Sequence, residues 1–390
     1  MTVCTAVDIS RSPTAGQSER PLRVLLLAQR YFPYMGGVET HVYEVGRRLA
    51  RADVEVTILT TDTSRRLPSS EEVDGVHIYR VPAYPAERDY FFAPGIYRVI
   101  TSGDWDIVHL QGIHTLFAPL ALFAMWRARM PYIVSFHSGG PPNWFRRVIR
   151  SAQWMTLRPF LARAQRLVAV SNFEATSFRR ALHLPNDRFV VIRNGAQMPA
   201  QSTYESGGGV PGTLIVSPGR LQQYKGHHSL IAALPHIVAQ RPDVRLLILG
   251  SGPYEAELLR QARIHGVATH VEIRAIPPER REEMAKVLAG ADLVALLSEY
   301  EAHPIAVMEA LALHRSILVA DTSGFTELAE EGLVRAIPLK STPQQVAAAV
   351  LQQLRQPLIP HAVRLPTWER CTEELLALYR DIAGRPSCVS

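Results

Sequence analysis

Two cations bracket one short turn in the second half of this chain. The stretch Ser217-Pro218-Gly219-Arg220-Leu221-Gln222-Gln223-Tyr224-Lys225-Gly226 follows an apolar run, so Arg220 and Lys225 stand where a buried strand would end. Positive charge at such a place suits a diphosphate, most of all one that departs as an anion. The plain alternative is a pair of solvated cations beside a helix start. Further on, Glu301-Ala-His-Pro-Ile-Ala-Val-Met-Glu309 again follows an apolar run. Pro304 suits the first turn of a helix, where its missing N–H would be unpaired in any case. A helix starting at Pro304–Ile305 would aim amides and its positive dipole end out beyond the strand. Glu301 would lie in the loop, and Glu309 roughly 7 to 8 Å further along the helix. One carboxylate could accept hydrogen bonds from sugar hydroxyls and the other from ribose hydroxyls. Two solvated glutamates are the ordinary reading of that spacing.

The elements that must hold these residues follow from the hydrophobic period. Arg23–Ala28 is a short continuous apolar run of the kind buried in a parallel sheet. Val38–Ala50 has Val38, Val42, Val45 and Leu49 on one helical face. Further strands are expected at Val54–Thr60, Val76–Val81, Ile107–Leu110, Tyr132–Phe136 and Leu167–Val170. Residues 196–212 are rich in Gly, Ser and Pro and lack an apolar period, which marks a linker. Alternation then restarts: Thr213–Val216, helix 227–240, Val244–Leu249, helix 255–265, His270–Ile273, helix 279–289, Leu293–Leu297, helix 305–313 and Ile317–Ala320. The fold class is therefore α/β, as two Rossmann-like, doubly wound domains facing across a cleft. Ligands of such sheets bind outside the carboxyl ends of the strands. The expected division is a disordered tail over 1–20, a first domain over 21–195, the linker 196–212 and a second domain over 213–365. A C-terminal helix over 366–384, N-capped by Thr367, should pack back onto the first domain.

Taken together, these signals are specific. Arg220…Lys225-Gly226, Gly250-Ser251-Gly252-Pro253 and Glu301…Glu309-Ala310-Leu311-Ala312 come in order at the ends of successive strands. The segment resembles the retaining glycosyltransferases of family 4 (group 1), which have the GT-B fold. In the first half, Phe32-Pro33…Gly36-Gly37-Val38-Glu39 looks like that family's glycine loop. Asp106-Ile-Val-His109, Ser135-Phe136-His137, Val170-Ser171-Asn172 and Asn194-Gly195 also fall where the family has similar segments. The resemblance covers about residues 23–382.

It implies a transferase that moves a sugar from a nucleotide-diphosphate donor, UDP- or GDP-linked, to an acceptor hydroxyl of a small molecule, glycan or lipid. Anomeric configuration would be retained, with no metal and no cofactor beyond the nucleotide sugar. The departing phosphate oxygen would itself assist deprotonation of the acceptor. Arg220 and Lys225 would hold the diphosphate, Glu309 the ribose, and Glu301 the donor-sugar hydroxyls, with the amides of Ile305 and Ala306 close by. His137 would approach the transferred sugar. Gly36 and Gly37 would let the backbone come close to phosphate or acceptor, since glycine has no side chain to block it. Gly219, Gly250, His303 and Pro304 would also face the donor, and Arg274, Ala275 and Ile276 would lie near the base. The chain departs from the family at several positions. Pro304 replaces a glycine and His303 an aromatic, His314 and Ser316 replace a glycine and proline, and Gln111 stands where a second histidine is frequent. His109, His114, His227 and His228 read as capped or half-buried histidines.

Other classes fit less well. The net charge of +6 is spread along the chain without the aromatic-interleaved basic blocks of a nucleic-acid binder. Cys4, Cys371 and Cys388 form no CxxC pair, so neither a disulfide framework nor a zinc site is indicated. No apolar run reaches the roughly 18 residues of a membrane span, and the polar N-terminus lacks a signal-peptide core. The expected location is the cytoplasm. Residues 144–166 mix aromatics and arginines with no acid, which can mark a helix lying on the anionic inner face of a membrane. The favoured reading is a domain helix, with Pro159 arguing for a break. A sugar-nucleotide epimerase on the same two-domain architecture is the alternative enzyme, and a peripheral membrane lipid glycosyltransferase a further variant. A dinucleotide oxidoreductase is disfavoured because the first strand runs into Gln29-Arg-Tyr-Phe-Pro-Tyr-Met-Gly-Gly rather than G-x-G-x-x-G. The loops Tyr84–Gly95 and Ser138–Trp144 are individual and are expected to shape the acceptor side.

Overall fold

The computed structural model describes residues 20–34, 36–84, 92–113, 115–138, 144–198, 212–277, 280–360 and 364–384. The tail before residue 20, the connection over 199–211, His114 and most of the two individual loops lie outside them. The first half runs β1 (Leu22–Ala28), α1 (Gly37–Arg51), β2 (Val54–Asp62), β3 (Ser70–Val73), β4 (Val76–Pro82), α2 (Gly95–Ser102), β5 (Ile107–Gln111), α3 (Phe117–Arg127) and β6 (Tyr132–Ser135). It closes with α4 (Trp144–Leu161), β7 (Arg166–Ala169), α5 (Asn172–Leu182) and β8 (Phe189–Val191). The second half runs β9 (Leu214–Pro218), α6 (His227–Val238), β10 (Arg245–Leu249), α7 (Glu255–Ile264), β11 (Val271–Arg274), α8 (Arg281–Ala289) and β12 (Leu293–Leu296). After these come α9 (Ile305–Ala312), β13 (Ile317–Asp321), α10 (Gly324–Glu330), β14 (Arg335–Pro338), α11 (Pro343–Arg355) and α12 (Trp368–Ile382).

The strands form two separate sheets, ordered β3-β4-β2-β1-β5-β6-β7-β8 and β11-β10-β9-β12-β13-β14. All pairings are parallel except β3 with β4. Each sheet is covered on both faces: two buried clusters flank the first and two flank the second. Burial on both faces is why β12 is a continuous apolar run, and β1 one broken only by Arg23, rather than alternating ones. In each sheet the order reverses once, between β1 and β5 and between β9 and β12. Loops leaving neighbouring strands there diverge to opposite faces and open a crevice.

The last helix leaves its sequence neighbours. Trp368, Cys371, Leu375 and Tyr379 of α12 are buried in the same cluster as Val24 and Leu26 of β1 and Val42 and Val45 of α1. The chain crosses between the halves twice at one place, where the Ala196 amide donates to the Pro366 carbonyl at 2.7 Å. Beside this junction, a side chain on Gly195 would run into the Trp368 backbone.

Over its described side chains, α4 is a domain helix. Leu157 and Leu161 are buried, and Trp154 and Phe160 pack against the first core. Pro159 does not break it as expected, because it falls in the last turn of a helix that runs on to Leu161. Met155 alone among these apolar side chains is strongly exposed, at 73%. Among the described residues, no helix is long and apolar enough to cross a membrane.

Candidate functional site

In the second half, three loops at strand ends are bound to one another through their backbones. The Gly219 amide donates to the Leu249 carbonyl at 2.9 Å, Leu221 to Ser251 at 3.0 Å, and Gly250 to Arg274 at 2.9 Å. Gly250 has φ +159°, and a Cβ there would strike the Gly219 carbonyl, so only glycine lets the loops after β9 and β10 stack. His227, at the start of α6, fastens the end of β9. Its Nδ1 lies 2.8 Å from the Ser217 hydroxyl, and burial lowers its pKa to about 4, which keeps the ring neutral.

The paired strands β9 and β12 bring the cation loop beside the glutamate loop. The Tyr224 and Tyr300 rings stack with centroids 4.7 Å apart, and the Glu299 amide donates to the Tyr224 carbonyl at 2.7 Å. Arg220 donates to the Tyr224 hydroxyl at 3.0 Å. Lys225 and Glu301, given separate roles by the motif, form an ion pair with each other, their side chains 15% and 14% exposed. The Lys225 ammonium also lies 5.5 Å from the Tyr224 ring centre.

Glu309 sits inside α9 and is buried. Its Oε1 accepts from Arg281 at 2.5 Å. Burial pushes its pKa up while Arg281 pulls it back. Ile305 and Ala306 open α9 and line the cavity beside Pro304, which is its N-cap.

The first half contributes a different kind of wall. His137 follows β6 in the left-handed region, at φ +53°, and its Nε2 lies 2.6 Å from the Gln111 amide oxygen at the end of β5. Gln111, noted as a departure where a histidine is frequent, is thus the partner of His137. The turn is held from below by Glu174, whose carboxylate accepts from the Ser138 amide and, at 2.8 Å, from the Val170 amide. Complete burial pushes the Glu174 carboxyl up to about 8, against the pull of those two amides. His41 stands edge-on to His137 at 4.8 Å and its Nδ1 lies 2.8 Å from the Asn194 amide oxygen. Asn194 in turn donates to the His303 carbonyl at 3.4 Å, a bond from one half to the other. Burial lowers the pKa of His41 to about 4 and of His303 to about 3, so both rings are neutral.

One cleft of about 460 Å³ is lined from both sides by these groups. It collects Gly36, Gly37, His137, Gly219, Arg220, Lys225, Gly250, Ala275, Ile276, Glu301, His303, Pro304, Ile305, Ala306 and Glu309. Gly37 faces Ile305 of the opposite half, and the space where its side chain would be is open up to the Ile305 methyl at 3.9 Å. Arg274 is the exception: its guanidinium turns to Glu283 at 3.0 Å and Glu272 at 3.3 Å, and the residue does not line the cleft. Sequence reasoning missed Arg281, Tyr224 and Tyr300, which line the same cleft. A signal for Arg281 was present, since it opens a helix directly after the loop expected near the base. Of the other histidines, His109 is buried between the Tyr379 hydroxyl at 2.6 Å and the Ser135 hydroxyl at 2.8 Å, and has a structural place.

The arrangement can bind an anion at Arg220 and Lys225 and polyols at Glu301 and Glu309, with neutral hydrogen-bonding groups opposite. The description "Glycosyltransferase Family 4" matches residues 35–197 and "Glycosyl transferases group 1" matches 209–366. The chain is 28% identical to the D-inositol 3-phosphate glycosyltransferase of Jonesia denitrificans, over 88% of this chain and 91% of that one. It is 26% identical to the phosphatidyl-myo-inositol mannosyltransferase of Mycolicibacterium smegmatis, over 93% and 95%. Among solved structures, it is similar to Anabaena HepE in complex with UDP and glucose. There the TM-score is 0.68 at 18% identity, over 93% of this chain and 96% of that one. That likeness shows the GT-B fold.

Proposed function

The chain belongs to the family 4, group 1 glycosyltransferases, and on that premise we propose that it transfers a sugar from UDP or GDP to an acceptor hydroxyl with retention of configuration. The observation that carries this reading is the single cleft in which Arg220, Lys225, Glu301 and Glu309 face His137 and Gly36–Gly37.

The donor diphosphate lies against Arg220 and Lys225, its ribose at Glu309 and its sugar at Glu301, near the amides of Ile305 and Ala306. Entry of the diphosphate gives Lys225 a second anion to share with Glu301, and frees the carboxylate to accept from sugar hydroxyls. As the bond between the anomeric carbon and the phosphate oxygen breaks, negative charge grows on that oxygen, where the two cations stabilise it. The acceptor oxygen attacks the same face of the sugar, and its proton passes to the departing phosphate oxygen. No side chain need serve as base. The positive charge comes from the protein, so the transfer is proposed to proceed without a metal ion.

The acceptor reading rests on the names of the relatives. Two of them act on inositol-bearing acceptors by name, so an inositol phosphate or its lipid is the class to test first. A thermal-shift screen of UDP-, GDP-, ADP- and TDP-sugars tests the donor: a ligand selective for the folded state raises apparent stability. Stabilisation by none of them would sink the proposal. With the donor found, NMR of the product's anomeric signal checks retention, and EDTA treatment should leave the rate unchanged. Incubation with donor alone should return it unaltered, whereas an epimerase would convert it.

A further inference from the structure

Glu309 is a buried carboxylate inside a helix, and the cation that meets it comes from elsewhere in the fold. Arg281 reaches it from the first turn of α8, and the same guanidinium makes two more contacts. It donates to the Gln197 carbonyl at 3.4 Å and lies 3.3 Å from the Met198 sulfur, both on the first crossing between the halves. The Gln197 side chain accepts from Arg48 of α1 at 2.5 Å, and Arg48 donates to Glu369 of α12 at 2.8 Å. Arg281 also stands in the field of Glu44 and Tyr43 on α1.

We infer that Arg281 is the positioning residue of nucleotide recognition: it holds one oxygen of the Glu309 carboxylate, leaves the other facing the cleft, and ties the pair to the crossing between the halves. The inference rests on the reading of Glu309 as the ribose contact. With Oε1 held by Arg281, the other oxygen is left to accept from the ribose hydroxyls. An ionised acceptor makes the stronger hydrogen bond. A buried carboxylate stripped of its cation sheds its charge by taking up a proton. Among the described residues, two charged groups act on Glu309, Arg281 from α8 and Glu44 from α1, and the second is a like charge that favours protonation. Without Arg281, burial and Glu44 therefore act in the same direction.

The test is calorimetric binding of UDP and GDP, and of their 2′,3′-dideoxy counterparts, to the full chain between about pH 6.5 and pH 9. The wild type should prefer the ribonucleotide by about tenfold or more, with little pH dependence. Arg281→Gln should lose that preference near neutrality and regain part of it as the pH rises and Glu309 ionises. Arg281→Lys should lie between the two, and it carries the test should Arg281→Gln not fold. Wild-type preference and a flat pH profile in both variants would overturn the inference while leaving Glu309 in its role. A wild type that binds both forms equally, with Glu309→Gln unchanged from it, would instead overturn the ribose reading and the inference with it.

Discussion

Between residues 21 and 195 the chain carries 22 arginines, no lysine and 14 carboxylates, yet no charged side chain from that half lines the described cleft. Between 213 and 365 cations and carboxylates balance at 15 each, yet Arg220, Lys225, Arg281, Glu301 and Glu309 all reach the cleft from there. Net charge and working charge are thus in opposite halves. A diphosphate needs a few cations at fixed points in a partly desolvated site, where each counts for more than in water. The neutral wall of the first half is held by buried hydrogen bonds instead: His137 with Gln111, His41 with Asn194, and Glu174 beneath the turn. It presents neutral donors and acceptors to the cleft, the kind of surface that suits a polyol.

Single substitutions separate the two walls by the size of their effects. The largest effect is expected from Trp368→Ala, at about 3–5 kcal/mol of stability, because the ring is buried in the first half's core. Hydrogen exchange should show the loss in β1 and α1 rather than in β9 and β10. Lys225→Ala should lower kcat by about 10²–10³-fold, with a smaller change in donor KM, if its charge serves the departing phosphate. Equal losses in both constants at unchanged kcat/KM would contradict that role.

Gln111→Ala on the neutral wall should cost only about tenfold in kcat, the scale of one hydrogen bond. A loss as large as that of Lys225→Ala would erase the distinction between the walls. The smallest effect at neutral pH should come from His227→Asn, which shows itself in acid. The folded pKa of His227 is lowered to about 4, so the unfolded chain takes up a proton near pH 6.5 while the folded one does not. Its contribution is complete above that pH and is lost as the pH falls toward 4. Urea titrations over this range should show a shallower slope in the variant.

Much of the architecture was legible because both sheets are covered on both faces. Buried parallel strands are short apolar runs: β12 is unbroken and β1 is broken only by Arg23, while β2 and β5 keep apolar residues around Glu55, Thr57 and His109. Two strands that escaped, β3 and β8, are the edges of the first sheet. β3 is exposed along three of its four residues, and β8 is only half-buried. Their signals were of another kind. Asp74-Gly75, with φ +53° and +76°, is the two-residue turn that joins β3 to β4. Thr342-Pro343-Gln344-Gln345 is a capping box that starts α11.

In the site, residue types and strand ends pointed to the cleft but not to the pairings inside it. Lys225 meets Glu301 only because β9 and β12 are neighbours, a fact of strand order that spacing does not carry. The ion pairing of Arg274 was legible. Arg274 and Glu272 are two apart on β11, so they share a face and suit each other as partners. Arg281 was marked in the sequence only as the start of a helix; its pairing with Glu309 needed the three-dimensional meeting of α8 with α9.

The last helix has a consequence for how the molecule is made. A ribosome delivers the first half of the chain long before residues 368–379 emerge, and the groove beside α1 and β1 lacks its covering until then. The earlier-made half therefore waits, incompletely packed, on the end of synthesis, while β9–β14 can already settle. A stalled chain ending before Trp368 should expose apolar surface on its older half and be recognised by chaperones there.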